Sequence, residues 1–147
     1  MNYRHIVLDL DGTLTDSGVG ITKSVQYAAT SKPTVFAERI LVHFGIRDYF
    51  HTVAGSFLDG TRTDKSEIIG YVLRHNEIVQ REAAMIGDRK HDLIGAFNNG
   101  IASIGAAYGY GTVEELAAWS PVAIVQTVCE LTALLGADGH NVSESAL

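Results

Sequence analysis

Short apolar runs alternate along the chain with stretches of helical spacing, and that alternation predicts most of the elements. Residues 5–10 (HIVLDL) are apolar up to an Asp-Gly turn and read as a short buried strand. In residues 33–44, Val35, Phe36, Ile40, Leu41 and Phe44 fall on one helical face. Pro33 suits the first turn of that helix and Gly45 its stop. Residues 51–56 (HTVAGS) read as a strand, and 65–76 as a helix through Ile68, Ile69, Val72 and Leu73. A strand at 83–86 stops at Gly87-Asp88, and a helix at 92–99 is ended by Gly100. Next come a strand at 101–107, a glycine-punctuated loop (YGYG), a helix at 113–119, a strand at 122–126 and a helix at 128–135. The last residues, 136–147, are small and polar and read as a frayed tail.

One stretch supports two readings. Ile21, Val25 and Ala28 share a helical face, which favours a helix over residues 20–29. The competing reading makes residues 25–29 the second strand, leaving fourteen residues, 11–24, for the crossover. That is close to the minimum for a parallel connection.

Strands alternating with helices imply an α/β fold, a doubly wound three-layer sandwich around a mostly parallel sheet. Such sheets bind ligands beyond the carboxyl ends of their strands. Polar groups collect there: Asp9 and Asp11 close the first strand, Thr30 follows the second, and Asp88 closes the fourth. The expected organisation is one core domain over residues 1–136 and a disordered tail over 137–147.

Composition removes several function classes. The formal charge is −6, and no basic cluster exceeds Arg89-Lys90, which argues against a nucleic-acid surface. No apolar run approaches the roughly 20 residues of a membrane span, and the run after Arg4-His5 ends at Asp9, too early for a signal peptide. The single cysteine, Cys129, cannot form an internal disulfide, so a soluble protein of the reducing cytoplasm is expected.

The first motif with chemistry is DLDGTLTDS, residues 9–17. A calcium loop also begins D-x-D, but needs Gly sixth and Glu twelfth, where this chain has Leu14 and Gly20. GVGITKS, residues 18–24, lacks the glycine that a nucleotide-binding P-loop places before its Lys-Ser pair. ATSKP, residues 29–33, sets a hydroxyl and backbone amides at a strand-to-helix junction, a natural phosphate cradle. Lys65 follows in GTRTDK, and GDRKHD sets Asp88 at a strand end with Asp92 four residues on. Carboxylates so placed suit Mg²⁺, which takes one or two of them plus phosphate and water. His91 lies inside this motif and has no assigned role; the other histidines show no metal spacing.

The order D-x-D, Thr, Lys, GDxxxD resembles the haloacid dehalogenase superfamily of phosphotransferases. ATSKPTVFAERIL and MIGDRKHDLIGA are similar to its branch of phosphoglycolate phosphatases and nucleoside 5′-monophosphate phosphatases. The resemblance runs from Tyr3 to about Leu135. It implies that Asp9 is the nucleophile and forms an aspartyl-phosphate, while Asp11 exchanges protons with the leaving alcohol and then with water. Mg²⁺ would be held by Asp9, Asp88 and the backbone carbonyl of Asp11, supported by Asp92. Thr30 and Lys65 would bind the phosphoryl oxygens. A phospho-acceptor receiver domain shares the Asp, Mg²⁺, Thr and Lys, but phosphorylates an Asp that ends its third strand, where this chain has HTVAGS.

The chain departs from that branch in one respect. A helical cap normally lies between the first motif and the Thr segment, and only twelve residues separate Ser17 from Thr30. The implied protein is a cap-less hydrolase of small phosphorylated metabolites. The alternative is a largely inactive core that binds Mg²⁺ and phosphate without efficient turnover. An uncovered sheet face or edge would favour a homodimer or domain swap.

Overall fold

The computed structural model describes residues 2–13 and 24–136. Six strands form one sheet: β1 (His5–Leu8), β2 (Val25–Pro33), β3 (Phe50–Ser56), β4 (Ala83–Gly87), β5 (Ala102–Ala106) and β6 (Ala123–Val125). Every neighbouring pair is parallel, in the order β3-β2-β1-β4-β5-β6. Five helices connect or flank them: α1 (Thr34–His43), α2 (Lys65–His75), α3 (Lys90–Asn98), α4 (Val113–Ala117) and α5 (Val128–Gly136).

Successive β1 side chains go to opposite faces, as strand geometry requires. Ile6 and Leu8 join a cluster with Ala37 and Leu41 of α1 and Leu131 of α5. Val7 joins a second cluster with Ile68, Ile69 and Val72 of α2 and Ala96 of α3. Both faces are therefore packed, which is the three-layer arrangement expected. Each fully buried Leu or Ile contributes about 1.5–3 kcal/mol, so the two clusters fix both sides of the sheet.

The helical reading of residues 20–29 is corrected. Residues 25–33 are strand, paired to β1 through His5↔Val25 to Leu8↔Ala28 and to β3 on the other side. The reason is burial on both faces: Tyr27, Ala28 and Ala29 are all inaccessible, and only sheet pairing satisfies their backbone groups there. A register shift against β3 between Ala29 and Pro33 bends the end of the strand beside Thr30. Residues 14–23, which hold Ser17 and the start of the helical alternative, lie outside the described residues, as does the tail 137–147.

The chain runs β1, β2, β3 to one edge, then returns to place β4 on the far side of β1. The carboxyl ends of β1 and β4 thus flank the switch point, where doubly wound sheets form their binding crevice. Asp9 continues this ladder by one residue, its N–H donating to the Ile86 carbonyl (3.0 Å). Among the described residues no helix is long and apolar enough to cross a membrane.

Candidate active site

Three carboxylates converge at the switch point. One oxygen each from Asp9, Asp88 and Asp92 lies within 4.8 Å of the others, and all three residues are buried. Asp9 follows β1, Asp88 follows β4, and Asp92 stands in the first turn of α3. There Asp92 Oδ2 also caps the helix, accepting from the Arg89 N–H (3.2 Å).

Lys65 supplies the counter-charge. Its Nζ donates to Asp9 Oδ1 (2.8 Å), Asp92 Oδ1 (2.7 Å) and the Ala29 carbonyl (3.1 Å), which uses all three ammonium protons. Gly95 lets the lysine stem pass α3, since a Cβ there would stand 3.2 Å from Lys65 Cγ and 2.8 Å from Ile69 Cδ1. Burial alone would lower the Lys65 pKa, but the Asp92 and Asp9 charges outweigh it and raise it. Burial, aided by the charge of Asp92, pushes the Asp9 carboxyl up to about 8 against the pull of Lys65.

The donor set fits a divalent cation. With Asp9 ionised, as a ligand must be, three carboxylates against one ammonium leave two surplus negative charges in a buried place, the amount a dication cancels. In that state Asp88 Oδ1 is buried and has no hydrogen-bond partner among the described residues. An orphaned carboxylate oxygen costs several kcal/mol unless something coordinates it, and it belongs to the cluster where a cation would sit.

The other oxygen of Asp88 is clasped by backbone. Oδ2 accepts from the Tyr110 N–H (2.8 Å), in the YGYG loop that follows β5. Side chains are excluded around it: a Cβ on Gly12 would lie 2.2 Å from Asp88 Oδ2, and one on Gly109 2.4 Å from Asp88 Cβ. Tyr108 closes the loop, donating its hydroxyl proton to the Thr13 carbonyl (2.9 Å). Burial, then the Asp88 charge, raises that hydroxyl pKa to about 12, so it stays a donor.

This packing makes a prediction with a built-in control. Gly12 and Gly45 both have φ near +75° (77° and 73°), but nothing lies within 4 Å of a Cβ at Gly45. Gly12→Ala and Gly45→Ala should share the backbone cost of about 1 kcal/mol, measured by urea unfolding. Only Gly12→Ala should also weaken Mg²⁺ binding, by roughly 10–100-fold, read by metal titration.

The remaining expected residues lie at the rim. Asp11 does not join the carboxylate cluster; its half-exposed Oδ2 pairs with Lys32 Nζ (3.2 Å). Thr30 is buried at the bend of β2, its Oγ1 accepting from the Lys32 N–H (3.2 Å). Lys32 and Tyr110 are thus site neighbours that motif reading missed, although SKP beside Thr30 and the paired glycines of YGYG were visible signals.

The model of haloacid dehalogenase-like hydrolases matches residues 28–106, more than half of the chain. The chain belongs to the haloacid dehalogenase-like hydrolase family. Within this family it is 44% identical over 119 residues to a 5′-nucleotidase of Pseudomonas aeruginosa, covering 81% of this chain and 53% of that protein. It is 32% identical over 102 residues to a phosphoglycolate phosphatase of Vibrio vulnificus, covering 69% and 45%. The chain spans about half the length of these curated relatives. A crystal structure described as a predicted phosphatase from Clostridium acetobutylicum superposes with a TM-score of 0.83 at 29% identity, covering 91% of this chain and 98% of that one.

Proposed function

We propose that this haloacid dehalogenase-like chain is a Mg²⁺-dependent phosphomonoester hydrolase that works through an aspartyl-phosphate on Asp9. The observation that carries the reading is the buried carboxylate cluster around Lys65, with its surplus charge and the orphaned oxygen of Asp88. Asp9 and Asp88, the Asp11 backbone carbonyl and Asp92 would hold the cation. Bound there, Mg²⁺ would neutralise charge on the phosphoryl oxygens and keep Asp9 ionised.

In the first step a carboxylate oxygen of Asp9 attacks phosphorus and the bond to the leaving oxygen breaks, with Asp11 giving that oxygen a proton. In the second, water attacks the aspartyl-phosphate and returns its proton to Asp11, freeing inorganic phosphate and the Asp9 carboxylate. Asp11 must let go of Lys32 to reach the leaving oxygen. Thr30 would donate its hydroxyl proton to a phosphoryl oxygen. Lys65 has no proton to spare, so its part is to hold Asp9 and Asp92 and lower the local negative charge. The relatives' names, 5′-nucleotidase and phosphoglycolate phosphatase, support small phosphorylated substrates such as phosphoglycolate or nucleoside 5′-monophosphates.

The test is phosphate release from an aryl phosphate with and without Mg²⁺, beside direct Mg²⁺ titration across pH. Chelation should abolish release and added Mg²⁺ restore it. Because a proton competes for Asp9, with its pKa of about 8 in the metal-free protein, apparent Mg²⁺ affinity should rise with pH. The gain should be up to roughly tenfold per unit until about pH 8, and level off above. Release indifferent to chelation would overturn the reading. So would no release from a folded, Mg²⁺-supplemented protein, which would instead mark a binding-only core.

A further inference from the structure

The two tyrosines of the YGYG loop are used differently. Tyr108 ties the loop to Thr13 through its hydroxyl. Tyr110 is the most exposed large hydrophobic side chain among the described residues, at 76%. Neither a ring partner nor a hydrogen bond to its hydroxyl is found among them. Three other exposed aromatics are covered in part, Phe57 by Arg62, Phe36 by Arg39 and Phe97 by Trp119, and Tyr49, also exposed, lies away from the carboxylate cluster in the turn before β3.

Yet Tyr110 is held in place. Its N–H is fixed on Asp88 (2.8 Å), and its ring edge rests on Gly12, where an added Cβ would lie 2.8 Å from Tyr110 Cδ2. Gly111 anchors the next residue, since a Cβ there would meet the Asp88 carbonyl at 2.1 Å. A flat, exposed ring with its backbone fixed and one edge against Gly12 thus stands beside the site, next to Asp11, the group that would protonate the leaving oxygen. Asp11 in turn is paired with Lys32.

We propose that Tyr110 is a stacking platform for the leaving group, so that the site favours phosphomonoesters whose alcohol carries an aromatic or heteroaromatic ring. The inference rests on the hydrolase reading and narrows it. An alcohol leaving from the phosphoryl centre at Asp9 must pass Asp11 and Gly12, and the ring borders that path. Stacking releases both apolar faces from water without asking for a particular hydrogen-bond pattern, so the selection is for a planar ring rather than one compound.

Two substrate pairs test this in the wild type, Tyr110→Ala and Tyr110→Phe: phenyl against cyclohexyl phosphate, and uridine 5′-monophosphate against ribose 5-phosphate. The kcat/KM ratio within each pair cancels effects common to both members. The expected result is a ratio that falls about tenfold in Tyr110→Ala and is kept in Tyr110→Phe. A fall in the first pair identifies aryl esters as the favoured ring source, and a fall in the second identifies nucleotides. Unchanged ratios in both pairs overturn the proposal. Equal losses on ring and ringless members, with weakened Mg²⁺ binding, overturn it too and reduce Tyr110 to a support for Asp88. If the wild type hydrolyses none of the four, the hydrolase reading fails alone. Equilibrium binding of the same four to the Mg²⁺-supplemented variants then decides by the same ratios, and binding of none counts against the platform.

Discussion

Asp9→Asn is expected to lower phosphate release by on the order of 10⁴-fold or more, with the fold intact. An amide is too weak a nucleophile to form the acyl-phosphate, and removal of a nucleophile is among the costliest single changes an active site can suffer. The substitution keeps shape while fixing the neutral state. In the metal-free protein Asp9 holds its proton to about pH 8, whereas the unfolded side chain loses it near 3.8. Between those values the folded state binds the extra proton, so raising the pH destabilises metal-free wild type through this group. Asp9→Asn lacks that liability. Metal-free thermal melts should therefore show the variant at or above the wild type, with the gap widening from about pH 4 to 8. Substantial Mg²⁺-dependent turnover by Asp9→Asn would remove Asp9 from its role.

Lys65→Met is expected to cost about 3–5 kcal/mol of folding stability, because it strands the buried Asp92 carboxylate, and above about pH 8 that of Asp9, without a cation. The lysine is only 6% exposed and its ammonium contacts both carboxylates directly. One effect runs the other way. Lys65 is the first residue of α2, where a positive charge opposes the helix dipole, and removing it returns some 0.3–1 kcal/mol. Breaking the buried ion pairs outweighs that gain, so the net sign is loss. Urea unfolding measures the loss, and Mg²⁺ should recover part of it by cancelling the same carboxylates. A variant within 1 kcal/mol of the wild type, with or without Mg²⁺, would show that Lys65 does not hold the cluster.

Much of the fold is legible because the strands and helices differ in period, and the acidic pairs stand where strands end. Asp9, Asp88 and Asp92 follow from that placement alone. The second strand is easily misread because a strand buried on both faces shows no alternation: in VQYAAT, both Tyr27 on one side and Ala28 on the other are apolar. Ile21, Val25 and Ala28 then supply a helical spacing that pairing to β1 and β3 overrides. Lys65 is visible only through motif order. Read locally, a lysine opening a helix is a defect, and its partners arrive from residues 56 positions earlier and 27 later. For Tyr110 and Lys32 the sequence offers only neighbourhood signals, the glycines of YGYG and the SKP beside Thr30; that YGYG folds back onto Asp88 and Asp11 turns toward Lys32 is visible only in the fold.

The position of β1 has a consequence for how the molecule is made. β1 is made before the other five strands of this sheet, yet its register with β4 joins His5 to Ala83, and Tyr108 reaches back 95 residues to Thr13. Such long loops must close before their contacts reward them, which slows folding of parallel sheets. On the ribosome the strand that leads into Asp9 therefore waits, half-paired with β2, until β4 has emerged. The clasp on Asp88 waits longer still, for the loop after β5, so the carboxylate cluster is fully assembled only once nearly the whole core has left the exit tunnel.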